Sequence, residues 1–266
     1  GHPIGRGNFF KCLAKHGSLN VVEALKESSN SFFFEMMRLH NVNVLHDFAA
    51  PFGFGSAPYL DISRLEIRAG LLPDSAYFNK TYGDRKWGQG DIMNLGVGQG
   101  ALEVSPLQLV RYVSAFANDG LMVTPHLVRN MVDRQTGEVT TPEIEPAHRV
   151  TLNKTYLDIV KKGMRRVITD ESPWLEIPGV TSIGKTGSAQ NPRNGKSDAL
   201  FIMAAPAENP QIAIAVIVEN AGFGSGSAGP IGSFMAERYL TGRIDPKRDI
   251  YMKSMMSKNS VDLGKN

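Results

Sequence analysis

Lys185, Thr186, Gly187 and Ser188 follow a β-rich run, Val180-Thr-Ser-Ile183. A lysine supplies a point charge, the hydroxyls of Thr186 and Ser188 supply hydrogen bonds, and Gly187 lets a ligand backbone approach closely. Together they describe an anion cradle at the end of a strand. Standing alone, the triplet reads more economically as a solvated strand end. A second cluster, Ser28-Ser29-Asn30, places a hydroxyl and an amide between two expected helices, with Phe32, Phe33 and Phe34 behind it to root it in a core. Ser-x-Asn recurs at Ser18 and Ser257, and by itself it reads as capping chemistry. A third element, Gly98-Gln99-Gly100, leads to Ser105-Pro-Leu-Gln-Leu109 and alone reads as a helix end followed by a helix start. Cys12 and His16 lie four residues apart, but two candidate ligands are too few for a metal, and none is expected.

These residues need elements to hold them. Ser18 is placed as the cap of a short helix over residues 18–28, with Leu19, Val22 and Leu25 on its face. Residues 31–39 read as a second helix and 43–50 as a third. Residues 51–100 are rich in glycine and mostly aperiodic, as functional surfaces are. Ser105 caps a helix that opens on Pro106, shows Leu109, Tyr112, Val113 and Phe116 on one face, and stops at Gly120. Residues 121–141 read as one hairpin turning at 134–137. Residues 153–169 form an amphipathic helix, and 229–240 a C-terminal one. Strands are expected over 180–187, 199–205 and 211–218. The last is apolar on both faces, which predicts a central strand covered by helices on both sides. Residues 199–205 offer one neighbour, and no downstream segment offers the other. The sheet is therefore expected to be incomplete, its missing strands lying before residue 1.

The 266 residues suit one large domain or two small ones. With 42% hydrophobic and 21% charged residues, wholesale disorder is excluded. A net charge of +3, with no run of basic residues, argues against a nucleic-acid partner. The apolar stretches at 199–207 and 212–218 fall well short of the roughly 18 residues that span a bilayer, so no membrane contact is expected of this segment. A single cysteine forbids an intrachain disulfide. The first residues are polar and turn-forming, without the pattern of a signal peptide.

Taken in order, Ser-x-Asn, Gly-Gln-Gly, Pro-Leu-Gln-Leu, Ala117-Asn-Asp-Gly120 and Lys-Thr-Gly resemble the transpeptidase domain of class B penicillin-binding proteins. The likeness runs from about residue 11 to 242. Ala199-Leu-Phe-Ile, Ala205-Pro, Asn209-Pro and Val218-Glu-Asn220 look most like the elongation type, penicillin-binding protein 2. The resemblance implies an α/β (α+β) fold of the penicillin-binding and serine β-lactamase kind, an antiparallel sheet flanked by helices. It divides the chain into a partial transpeptidase domain, 1–243, and a tail, 244–266.

One departure bears on activity. The family's nucleophile is the serine of Ser-x-x-Lys, and here only Ser182-Ile-Gly-Lys185 matches. That match sits on an expected strand, where a spacing of three sends side chains to opposite faces. The nucleophile is therefore read as absent from this chain, which is expected to be an inactive C-terminal piece of the domain. The alternative is a pseudo-enzyme, or a module of the same fold that binds peptide or β-lactam without reacting. A class A β-lactamase is disfavoured, because 157 residues separate Ser28 from Lys185.

For the parent, the resemblance implies acyl transfer from the D-Ala-D-Ala end of a peptidoglycan stem peptide, imitated by β-lactam antibiotics, without a cofactor. Ser28 relays a proton and Asn30 holds the substrate amide. Lys185, Thr186 and Ser188 bind the terminal carboxylate, and the Ser188 N–H forms half of an oxyanion hole. Gly187 lies in a strand to which the peptide adds. The resemblance also implies partners in the cell-elongation machinery. It places the parent on the periplasmic face of the bacterial inner membrane, held by a helix upstream of this segment.

Overall fold

In the computed structural model, the structure describes residues 2–3, 9–10, 17–61, 67–190 and 195–257. Cys12 and His16 lie outside them. The first helix, α1 (Val21–Lys26), is capped by Asn20 rather than Ser18. Asn20 has an acidic residue at the third helical position: its Oδ1 accepts from the Glu23 N–H at 3.0 Å, and Glu23 Oε2 accepts from the Asn20 N–H at 3.1 Å. Ser18 has Val21 at that place and cannot form the reciprocal pair. Two further helices follow, α2 (Asn30–Leu39) and α3 (Val42–Ala49), the latter capped by Asn41. With α4 (Ser75–Tyr82) they enclose a small core of Met37, Val42, Phe78, Ile92 and Leu95.

The helix α5 (Pro106–Ala117) starts as its sequence dictates, with a Ser105–Gln108 capping box and proline at the first position. Gln108 is 1% exposed, and its amide nitrogen also donates to the carbonyls of Gly53, Ser56 and Ala69. One buried side chain thus organises the aperiodic stretch. Gly120 ends the element with φ +89°, and a Cβ there would stand 2.2 Å from the Val150 carbonyl oxygen. The expected single hairpin over 121–141 is divided. Met131–Val132 pairs with Val139–Thr140 across the predicted turn, whereas Leu121–Met122 pairs with His148–Arg149. Asp133 explains the turn, since its carboxylate accepts from the N–H groups of Gln135 and Thr136, both at 2.7 Å.

The main sheet has three antiparallel strands, β1 (Ile183–Ala189), β2 (Asp198–Ala205) and β3 (Ile212–Val218), in the order β1-β2-β3. The centre therefore belongs to β2, and the expectation that residues 211–218 form the central strand is corrected. Among the described residues no strand pairs with the other edge of β3. Its two-faced apolarity has another cause: helices cover both faces. The helices α5 and α6 (Lys154–Arg166) lie on one side of the sheet, and α7 (Ala228–Thr241) on the other. Phe201 and Met203, both fully buried, face α7, while Ile202 and Ala204 face the opposite core.

Beyond α7 the chain does not fray at once. Arg248 is 4% exposed. It pairs with the buried carboxylate of Glu237, donates to Ser233 Oγ at 2.7 Å and to the Trp174 carbonyl at 3.0 Å, and lies over the Phe234 ring. The last helix, α8 (Asp249–Ser257), follows this anchor and buries no residue. The division expected at 243/244 thus runs through a packed part of the domain.

Candidate active site

A tight turn joins α1 to α2, and Ser28 is its pivot, with φ +51°. A non-glycine residue in this left-handed region is uncommon and costs about 1 kcal/mol or more. The turn is held by hydrogen bonds from the Ser28 N–H to the Leu25 carbonyl at 3.3 Å and from the Ser29 N–H to the Ala24 carbonyl at 3.0 Å. Asn30 follows as the first residue of α2, half-buried beside the fully enclosed Ser29.

Across from this turn runs β1. Lys185 lies 157 positions further along the chain, and its Nζ donates to Ser28 Oγ. The same ammonium donates to the Thr186 carbonyl at 2.9 Å. Burial pushes the Lys185 pKa down from 10.5 to about 8, while the Glu171 carboxylate works in the opposite direction. Glu171 closes a single π-helical segment, Val167–Glu171, that follows α6 and packs against β1. A lysine poised near pH 8 and bonded to a hydroxyl can take up or release a proton through that hydroxyl within about one unit of neutrality.

The remaining predicted residues divide by the pleat. In β1, Lys185 and Gly187 share one face, and Thr186 and Ser188 the other. The three polar side chains therefore do not converge in one cradle as the sequence suggested. Ser188 Oγ instead accepts from the Gly224 N–H at 3.3 Å. Gly224 must be glycine: a Cβ would meet the Gly187 carbonyl oxygen at 2.4 Å and that of Leu200 at 2.3 Å. Ser182 is fully buried immediately before the strand, so it cannot present a nucleophile from this position.

Two residues beside the site had no role in the sequence reading. Gln99, in the Gly-Gln-Gly element, donates from Nε2 to the Ser188 carbonyl at 3.3 Å. Glu171 carried no motif, and only the fold brings it to Lys185. No group of three or more candidate metal ligands occurs among the described residues. A cleft of about 590 Å³ between the 173–181 segment and Lys247, Arg248 and Tyr251 has none of the site residues in its wall.

The family model of the penicillin binding protein transpeptidase domain matches residues 7–236. Peptidoglycan D,D-transpeptidase MrdA of Haemophilus influenzae is 28% identical over 268 residues, covering 92% of this chain and 40% of that protein. The chain thus spans less than half the length of this curated relative. Among solved structures, Pseudomonas aeruginosa PBP2 in complex with WCK 5153 is 27% identical with a TM-score of 0.72, over 92% of this chain and 54% of that one. The imipenem acyl-enzyme complex of penicillin-binding protein A from M. tuberculosis shares the fold, at 24% identity and a TM-score of 0.70, over 85% of this chain and 48% of that one.

Proposed function

The chain belongs to the penicillin-binding protein transpeptidase family, and from that premise we propose that it is part of an elongation-type peptidoglycan D,D-transpeptidase working on the periplasmic face of the inner membrane. The observation that carries this reading is the hydrogen bond from Lys185 Nζ to Ser28 Oγ. It joins two motifs far apart in sequence into one proton-handling pair. The reaction is serine-type acyl transfer: an acyl-enzyme forms at the D-Ala-D-Ala bond, D-Ala leaves, and an amine of a neighbouring strand takes the acyl group.

In this reading Ser28 passes the proton to the departing amine, and the lowered pKa of Lys185 lets that lysine recharge it near neutral pH. Asn30 holds a substrate amide. The charge of Lys185 receives the terminal carboxylate without the Thr186 side chain, which lies on the other face, and Gly187 leaves room for the peptide along β1. The Ser188 N–H stabilises the oxyanion, while its hydroxyl is engaged by Gly224. β-Lactams occupy the same place as the peptide, and partners are expected in the cell-elongation machinery. No residue of this chain serves as the nucleophile. The reading as a binding module of the same fold differs only in whether acylation ever occurs.

Intact mass spectrometry after incubation with benzylpenicillin tests the assignment. The expected result is no adduct on this chain and a single adduct on a version extended upstream through a Ser-x-x-Lys motif. A stoichiometric mass gain at one serine of this chain overturns the absent nucleophile. An unreactive extended chain that still binds the drug favours the binding module.

A further inference from the structure

The Gly98-Gln99-Gly100 element follows a short helical turn, Met93–Val97, that packs on α2. Both glycines have positive φ, +75° and +84°. The turn they form is pinned from behind: the Gly98 N–H donates to the Leu95 carbonyl at 3.0 Å, and the Gln99 N–H to the Asn94 carbonyl at 2.9 Å. The half-buried Gln99 side chain therefore leaves a fixed base and crosses to β1.

What it meets is an acceptor on an end strand. One edge of β1 is taken by β2, and among the described residues no strand takes the other. Carbonyls of alternate residues point to the same edge of a strand. Those of Thr186 and Ser188 are alternate, and each accepts from a side chain: Lys185 Nζ at 2.9 Å and Gln99 Nε2 at 3.3 Å. An extended peptide that adds here needs such carbonyls as partners for its own N–H groups. A primary amide is suited to hold one of them in the meantime. It is neutral, it satisfies a single lone pair, and at 3.3 Å it does so loosely.

Resting on the transpeptidase reading above, the geometry points to Gln99 as a latch on the open edge of β1. Its amide covers the Ser188 carbonyl when the edge is empty and yields it to a backbone N–H of the entering peptide. Gln99 is thus a specificity-determining residue. Its amide competes only with a peptide that bears an N–H at this register, and a peptide lacking one binds without displacing it.

The test measures binding of two probes to the full chain by NMR titration. One is an N-acylated peptide ending in D-Ala-D-Ala. The other is its depsipeptide twin, in which the internal amide N–H groups are replaced by ester oxygens. Each is titrated into the unaltered chain, Gln99→Ala and Gln99→Leu. With the latch removed, the amide peptide should bind about five-fold tighter to both variants, about 1 kcal/mol, while affinity for the ester twin stays the same. If Gln99 only braces the strand, both variants lose affinity for both probes, and the latch is refuted. Equal tightening of both probes refutes it as well. If no chain binds either probe at millimolar concentration, the peptide reading of this edge falls and takes the latch with it. That outcome is distinct from the previous two, in which binding persists.

Discussion

Replacing Lys185 with methionine should change stability in a direction that depends on pH. The ammonium is held at about 8 in the folded chain against 10.5 for the ordinary group, because burial disfavours its charge. Below pH 8 the lysine is protonated in both states, and folding bears the whole cost. The fall from 10.5 to about 8 corresponds to about 3 kcal/mol; since the side chain is only half-buried, about 2 kcal/mol is the better expectation. Between pH 8 and 10.5 the unfolded state binds more protons than the folded one, so this group makes stability rise with pH. Above 10.5 the cost is gone. Methionine never bears it, but it lacks the hydrogen bonds to Ser28 and to the Thr186 carbonyl, worth about 1 kcal/mol each. Lys185→Met should therefore be close to neutral at pH 7 and less stable than the parent by about 2 kcal/mol at pH 11. Urea unfolding of both chains at unit steps of pH measures the difference. Other titrating groups, including Tyr112, pushed up to about 12 by burial, are common to both chains and cancel. Stability curves that run parallel from pH 7 to 11 would show that Lys185 carries no depressed pKa, and the proton relay would lose its basis.

Four further outcomes are expected. Removing the charge in Glu171→Gln should lower the Lys185 pKa further, since that carboxylate favours the ammonium; NMR of the lysine side-chain resonance against pH reads it, and an unchanged midpoint refutes the electrostatic coupling. Ser28→Gly and Ser28→Ala both remove the hydroxyl, but only alanine keeps a Cβ at φ +51°, so the glycine variant should be more stable by about 1 kcal/mol in urea titrations. Arg248→Met should cost about 3–5 kcal/mol because Glu237 is left charged and enclosed, and the pair Arg248→Met with Glu237→Gln should recover a large part of that loss; additive losses would rule out the coupling. The edge of β3 that no described strand pairs with should let copies of the chain pair, so light scattering should report mass rising over roughly 1–100 μM, whereas a constant monomer mass would show the edge to be protected.

What could be read from the chain depended on how local its cause was. The start of α5 is written in Ser105, Pro106 and Gln108, three neighbours that satisfy one another, and it stands where expected. The cap of α1 stands two residues beyond the expected one because Ser18 and Asn20 are both good caps, and only the reciprocal partner Glu23 decides between them. Strand apolarity reported correctly that both faces of residues 212–218 are covered by helices. It carried no information about edges, because edge pairing uses backbone groups that every residue has. At the site, Ser28, Asn30 and Lys185 were legible as motifs. The split of Thr186 and Ser188 onto the other face follows from the pleat and could have been drawn from the expected strand. Glu171 could not, since a π-helical turn sets its position and nothing in Val167-Ile-Thr-Asp-Glu171 announces one. Gln108 reads as part of a helix start, but its hold on three carbonyls 39 to 55 residues away is a property of the fold alone.

The anchor at Arg248 affects where this chain can be shortened. Its guanidinium donates to the Trp174 carbonyl, and the indole N–H of Trp174 donates to the Ser225 carbonyl at 3.0 Å. Ser225 adjoins Gly224, whose N–H reaches the hydroxyl of Ser188. Five residues past the apparent end of the domain, the chain thus fastens a loop whose other side rests on β1. A cut at Arg243, a basic site open to trypsin-like proteases, severs the backbone connection to that fastening even though no motif residue is touched. The shortest piece that keeps the end of β1 in place therefore ends after Arg248, in a segment whose composition gives no sign of belonging to the domain.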